Sequence, residues 1–282
     1  MRTALLHNGK LIHADDYQPD IHGNRIYCLD QKCKAPVIYV PKGSSVAHFK
    51  TTGKGDSQHS PSCGFYQPLN CIESIEKVAE YQQSILDANA REIVIRLSMT
   101  RIDPEYEPRK IDKEPDKKKD EEKVKTKNDN DNPSSIGSVK SVVKLMTSYE
   151  PDTLASILLN VGGGKKVPLS EVIISQERAH QLLWSGETIK NIGYFVYGKI
   201  SSINRREKVI YINFKEKNGI PFTLVVFDKY FKYFTYKDEE LIDNDVLAYG
   251  HLRKNQYNDK QETEMLIKSD KYIELIKSNN DN

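Results

Sequence analysis

The sequence predicts an α+β multidomain protein: a small Cys/His-rich module with a following helix and strand, a helical connection, and a C-terminal five-stranded β-barrel. Three observations predict it. Residues 1 to 66 hold three of the four cysteines and five of the seven histidines. Charged side chains dominate the stretch between Pro104 and Ser135, which has almost nothing to bury. From Ile192 to Ile276 the chain is a succession of β-branched and aromatic runs separated by turn formers. At 282 residues there is room for two cores and a tether.

Composition narrows the function classes. Hydrophobic residues make up 38% and charged residues 29%, so cores can form, while the mean hydropathy of -0.64 reflects a strongly solvated part. The net charge of +2 is far from the basic balance of a protein that coats duplex DNA, so any nucleic-acid binding must be local. The opening MRTALLHNGKLIHADD has no apolar run of signal-peptide length, and nothing later approaches a membrane span. A cytoplasmic location without a membrane partner is therefore expected. In that reducing compartment the cysteines are metal ligands, reactive thiols or buried small hydrophobes.

Spacing separates these possibilities. Cys28 and Cys33 form a C-x4-C knuckle in YCLDQKCKAP, and His59 and Cys63 form an H-x3-C pair in HSPSC. Two close pairs suit tetrahedral zinc, because each pair bites the ion from one tight turn, and PVIYVPKGSSVAHF between them has room for a hairpin. So small a module gains from a metal staple. The expected set is Cys28, Cys33, His59 and Cys63. A set with His48 in place of His59 and an unmetallated core both remain open. Four protein ligands would make the Zn2+ structural, with no catalytic position. His7, His13 and His22 lack partner spacing and are expected at the surface. Cys71 falls on the apolar side of the next helix, as a buried small hydrophobe.

That helix is predicted from LNCIESIEKVAEYQQSIL, where Ile72, Ile75, Val78, Ala79, Ile85 and Leu86 recur near helical spacing. REIVIRLSM at 91 to 99 reads as a strand. The domain boundaries expected are 1–100 for the zinc module with its helix, 101–137 for a disordered charged linker, 138–190 for a helical connecting segment and 191–278 for the barrel. VGGGKKVP within the third segment lacks the Gly-Lys-Ser/Thr ending of a phosphate loop, since Val167 follows Lys166, and reads as a plain loop. Trp184 is expected as a core anchor.

The barrel strands are IGYFVYGKISSI, KVIYINFKE, IPFTLVVF, DVLAYGHLR and EMLIKSDKYIEL, with the short helical KYFKYF between the third and fourth. Five strands with a helix at that place is the order of an OB-fold. Alternation puts Val196, Gly198 and Ile200 inward and Phe195, Tyr197 and Lys199 outward; inward Ile210, Ile212 and Phe214 leave Tyr211, Asn213 and Lys215 outside. Aromatic rings stack unpaired bases and cations follow the backbone, so Tyr197, Lys199, Tyr211, Lys215 and Arg253 are the candidate nucleic-acid-binding residues.

Two resemblances follow from these residues. The C-x4-C knuckle, the β segment ending in His48-Phe49 and the H-x3-C pair together resemble the zinc-ribbon domain at the N-terminus of competence-protein CoiA-like proteins, over roughly residues 20 to 66. Lys50 and Thr51 stand where such proteins often carry a second histidine. GKISSINRREKVIYINFKEKNGIPFTLVVFDKYFKYF with NDVLAYGHLRKNQ and MLIKSDKYIEL resembles the OB-like domain appended to some bacterial nucleases of broad specificity. This resemblance implies nucleic-acid binding without cleavage. The leading expectation is a non-catalytic protein binding single-stranded DNA or RNA through the barrel. The CoiA-like resemblance also implies a nuclease or nuclease accessory in DNA processing as an alternative. A protein-interaction adaptor of a mobile element, bound to a partner protein, is a third reading.

Overall fold

The computed structural model describes residues 1–88, 92–107, 135–257 and 260–277. The first unit is an antiparallel sheet of five short strands: β1 (Thr3–Leu6), β2 (Leu11–His13), β3 (Ile26–Cys28), β4 (Pro36–Val40) and β5 (His48–Lys50), in the order β2-β1-β3-β4-β5. A one-turn helix, α1 (Pro19–His22), lies between β2 and β3. The sheet's own core is slight. Ala4, Leu6, Ile26, Val37 and Phe49 are buried, with the Tyr17 ring edge-on to Phe49 at 5.5 Å. So little apolar area leaves the unit dependent on another tie.

Helix α2 (Cys71–Asp87) begins at a capping box: Asn70 accepts from the Glu73 amide while Glu73 accepts from the Asn70 amide. Its buried stripe is Cys71, Ile75, Val78, Tyr81 and Ile85. Ala79, expected on that stripe, is exposed, because the helix turns its tyrosine inward instead. Cys71 is buried as expected.

The stretch expected to be helical is mixed. A four-stranded sheet runs β7-β6-β8-β9, from β6 (Ile93–Leu97), β7 (Ser135–Ile136), β8 (Ile157–Asn160) and β9 (Lys166–Pro168). Around it lie α3 (Val139–Ser148), α4 (Pro151–Ala155) and α5 (Leu169–Val172), followed by β10 (Ile173–Ser175) and α6 (Gln176–Ser185). The glycine run caused the difference. Gly162, Gly163 and Gly164 take φ of 99°, 60° and 76°, which turns ILLN back on KVP as a hairpin rather than breaking a helix. Of the charged stretch, 108–134 lies outside the described residues. Thr100–Ile102 forms a 3-10 turn just before it, and β7 follows it.

The last unit holds β11 (Tyr194–Arg205), β12 (Val209–Phe214), β13 (Phe222–Phe227), the short α7 (Asp238–Leu241), β14 (Asp245–Gly250), β15 (Leu252–Tyr257), β16 (Lys260–Leu266) and β17 (Ile273–Leu275). KYFKYF lies in a 3-10 turn, Asp228–Tyr233. β12 alternates as expected, with Ile210, Ile212 and Phe214 buried, whereas in β11 Phe195 and Tyr197, expected outward, are buried along with Val196 because both faces of that stretch are covered. The fourth and fifth segments each break in two. The strand order therefore runs β15-β16-β13-β12-β11-β14-β17, with β10 alongside β11, and not as a closed ring of five. The break in the fifth segment holds a 3-10 turn, Asp270–Tyr272, and that in the fourth falls at Gly250. At Gly250 a side chain would meet Met265 at 2.6 Å, and only His251 separates β14 from β15. Gly198 is equally constrained, since a Cβ there would sit 2.3 Å from the Phe214 ring.

One apolar cluster joins Leu29, α2, β6, α3, β8 and the strands of this last unit as far as Ile276. It is continuous across position 191. Helix α6 packs over β10, β11, β15 and β16, and α3 packs on β14 and β17.

Candidate metal centre and nucleic-acid interface

Cys28 ends β3, and the chain turns at once: Cys33 donates its amide to the Asp30 carbonyl at 3.0 Å and Lys34 takes a φ of 49°. A second turn, with the Cys63 amide on the Ser60 carbonyl at 2.9 Å, returns His59 and Cys63 to the first. The ligand atoms of Cys28, Cys33, His59 and Cys63 all lie within 4.8 Å of one another, close enough to bind a metal ion. Cys28 Sγ stands 3.6 Å from Cys63 Sγ, and His59 Nδ1 stands 3.5 Å from the Sγ of both Cys33 and Cys63. Tetrahedral bonds of about 2.3 Å to sulfur and about 2.0 Å to nitrogen would place sulfurs about 3.8 Å apart and nitrogen about 3.5 Å from sulfur. The donor set fits such an ion. Burial pushes the His59 pKa down, which keeps the imidazole neutral, the form that ligates. The neighbouring Cys28 thiol holds the Cys63 thiol below its usual range.

The His48 alternative is overturned. His48 stands on β5 outside the cluster, its Nδ1 2.9 Å from the carbonyl oxygen of Val46.

Behind the ligands stands Asp30, buried between both turns and α2. One carboxylate oxygen accepts from the Lys32 and Cys33 amides at 3.0 and 3.2 Å, and the other from the Tyr81 hydroxyl at 2.7 Å and Lys77 Nζ at 3.2 Å. Burial pushes its pKa up, but the hydrogen bonds and the Lys77 charge outweigh that and hold it below the usual carboxylate range. The Tyr81 oxygen also accepts from the Gly64 amide at 3.3 Å, so one side chain of α2 ties both ligand-bearing turns. Neither Asp30 nor Tyr81 was foreseen. A carboxylate inside a Cys-x4-Cys knuckle was the available signal.

The five residues expected on the barrel surface do not share one face. Tyr211 lies half-buried on the outer face of β12, with the Arg206 guanidinium 5.5 Å from its ring centre. Lys215 and Arg253 are exposed and Lys199 is half-exposed. Tyr197 is buried, only 6% exposed. It sits between Ser175 of β10 and Leu247 of β14, and burial, with Glu76 and Glu177 nearby, pushes its hydroxyl up to about 12. The expected outward face of the first strand is covered by α6 and its neighbours, which an isolated barrel would not have.

In place of Tyr197, the outer face gains Phe227. It is 37% exposed at the end of β13, one alternation step beyond Val225, which pairs with Tyr211. IPFTLVVF carried part of that signal, since inward Leu224 and Val226 put Val225 and Phe227 on the other side, where Val225 is itself covered, 2% exposed, and Phe227 is open. A polar row crosses the same face from Ser202 through Asn213, Thr223 and Glu264 to Arg253, each opposite the next in register. Thr223 Oγ1 donates to Asn213 Oδ1 and Asn213 Nδ2 donates to Ser202 Oγ, both at 3.1 Å. Asn255 Nδ2 donates to Glu264 at 2.7 Å.

Beside the sheet, Lys268 Nζ binds Asp103 at 2.6 Å and Glu105 at 3.0 Å, and the Tyr230 hydroxyl donates to Glu105 at 2.7 Å. These acidic groups are engaged by cations. Among the described residues, the Cys28, Cys33, His59 and Cys63 set is the gathered metal-ligand group. No helix among them is long and apolar enough to cross a membrane.

No protein-family model matches this chain, and no curated protein matches it. Several solved structures match in part. The S. pombe Stn1-Ten1 complex is 18% identical over 32% of this chain and 61% of its own, with a TM-score of 0.23. Entamoeba histolytica asparaginyl-tRNA synthetase in complex with asparaginyl-adenylate is 15% identical over 32% of this chain and 22% of its own, with a TM-score of 0.21. RecJ in complex with Mn2+ from Thermus thermophilus is 9% identical over 49% of this chain and 20% of its own, with a TM-score of 0.25. The chain thus spans 61% of the first of these and about a fifth of the others.

Proposed function

We propose that this chain binds single-stranded nucleic acid, DNA or RNA, on the outer face of β11 to β13, and that a structural Zn2+ held by Cys28, Cys33, His59 and Cys63 stabilises its N-terminal unit. The observation that carries the binding reading is the exposed Phe227 ring on β13 and the half-buried Tyr211 ring with the Arg206 guanidinium over it on the adjacent strand, beside a row of amide and hydroxyl groups. A ring open to solvent gives an unpaired base a stacking surface, and the cation beside it suits the phosphate that follows. We read β11 to β16 as an OB-like barrel, its ring completed through the bend at Gly250, where β14 and β15 are one run of chain. Three cysteines and a histidine at tetrahedral spacing, with no position left for water, suit zinc in a structural role.

The test is a binding titration of the full chain against single-stranded and duplex oligomers. Single strands bind more tightly, because pairing hides the base faces. Tyr211→Ala weakens that binding by about 1 to 3 kcal/mol, roughly ten-fold for the middle of the range. Equal affinity for single strand and duplex, unmoved by Tyr211→Ala, would falsify the reading and favour a protein partner instead.

A further inference from the structure

We infer that Asn213 reads the edge of a base stacked on Tyr211 and selects adenine. The inference rests on the nucleic-acid reading of the outer face and adds a specificity to it.

Asn213 follows Tyr211 by two residues on β12, so both occupy the outer face about 7 Å apart along the strand. That is the reach from the centre of a stacked purine to a group hydrogen-bonded at its edge. The amide is already oriented: Thr223 Oγ1 of β13 donates to its oxygen and its nitrogen donates to Ser202 Oγ of β11, each at 3.1 Å. The carbonyl end is thus held toward β13 and the amino end toward β11. An amide offers two N–H donors and two carbonyl lone pairs. One of each is engaged by these neighbours, which leaves one donor and one acceptor side by side in a fixed order. Asn213 is partly exposed, so a ligand can reach them.

A fixed donor–acceptor pair discriminates among bases. The adenine amino group lies between two acceptors, N1 and N7, so it meets the amide in the required order whichever face of the base lies on the ring. Guanine has a comparable stacking area, but its O6 has a donor on one side and an acceptor on the other, so only one face fits. Thymine and uracil present an N–H between two carbonyls, yet have the smaller area of a pyrimidine for Tyr211. Cytosine lacks both advantages. Adenine alone combines purine stacking with an edge indifferent to orientation. Its recognition does not involve the sugar, so DNA and RNA share it.

Fluorescence anisotropy on the full chain tests this with single-stranded oligomers of about twelve nucleotides, within the span of one OB-type surface. The arms are oligo-dA, oligo-dT, oligo-dC, oligo-rA, and oligo-dA with its central bases replaced by purine lacking the amino group. Wild type binds oligo-dA at least about five-fold more tightly than the amino-free oligomer, the lower bound for one bidentate contact, and more tightly than oligo-dC and, through stacking area, oligo-dT. Oligo-rA keeps the preference over oligo-dT. Asn213→Ala brings oligo-dA and the amino-free oligomer within about two-fold of one another and lowers oligo-dT affinity as well, while oligo-dA keeps over oligo-dT the advantage of its larger stacking area. Thr223→Val preserves the amide and the shape of the strand pair but removes the orienting hydroxyl, and it narrows the preference without abolishing binding. Circular dichroism checks that both variants are folded. A wild-type preference for oligo-dA over the amino-free oligomer that survives Asn213→Ala, or the absence of that preference in wild type, overturns the role of Asn213 while the stacking face stands, so long as Tyr211→Ala weakens binding. Absence of binding in every arm overturns both.

Discussion

Glu105 illustrates how much a single side chain can organise. Hydrogen bonds from the Tyr230 hydroxyl, Lys268 and Lys229 hold its carboxyl down at about 2, below the ordinary 4.5. It ties the chain just after the 3-10 turn at Thr100–Ile102 to the 3-10 turn Asp228–Tyr233 and to the segment that follows β16. A carboxylate whose folded value is depressed contributes its stabilisation above the unfolded value and loses it as the pH falls toward the folded one. The expected outcome is a melting temperature that declines between about pH 4.5 and pH 2 in wild type and declines less in Glu105→Gln. Because the group is exposed, the difference is small, and an NMR titration of its side-chain carbon gives the sharper reading. A midpoint near 4.5 in that titration defeats the assignment. Tyr230 and Lys268 are residues that no sequence pattern paired with position 105.

At the scale of elements, α2 joins the metal-ligand turns to everything that follows. Its capping box fixes where it starts, its buried stripe fixes which face turns inward, and together these place Tyr81 against Asp30 and Gly64. Groups that orient ligand-bearing turns typically change metal affinity by about ten- to a hundred-fold when removed. The freshly purified chain is expected to carry about one zinc. Tyr81→Phe, which deletes a hydroxyl and little volume, should release that metal to a chelator about ten-fold more readily. Cys71→Ala, a thiol outside the ligand set, should leave release unchanged. Metal analysis with a colorimetric chelator distinguishes the two, and equal release from wild type and Tyr81→Phe would remove α2 from the account.

The whole molecule is held across its charged stretch. Strand β6 precedes residues 108–134, and it lies between β7 and β8, both of which follow them. Ile95 of β6 and the α2 stripe share one apolar cluster with β8, β11 and β14. Burying apolar surface yields about 25 cal/mol per Å2, so a shared core of this extent holds the two sides together without the covalent link. If a specific protease site is placed within 108–134 and cut, the two pieces should co-elute under native conditions and part only in denaturant. Separate native elution would show that the halves are independent domains.

The sequence by itself determined the elements whose signals are local. The Cys28/Cys33 and His59/Cys63 pairs, the α2 helix, and the inward Ile210, Ile212 and Phe214 were legible because ligand spacing and side-chain periodicity are properties of neighbouring residues. His59 was favoured over His48 by its H-x3-C spacing to Cys63, and the fold brings it to the other three ligands by returning the second turn to Cys28. Tertiary structure alone decided what covers each face. Tyr197 and Tyr211 alternate alike in sequence, yet α6 and β10 bury the first and leave the second open, because burial is set by elements distant along the chain. The close packing at the split between β14 and β15 was decided the same way, by a Met265 side chain, distant in sequence, that leaves Gly250 no room for a Cβ.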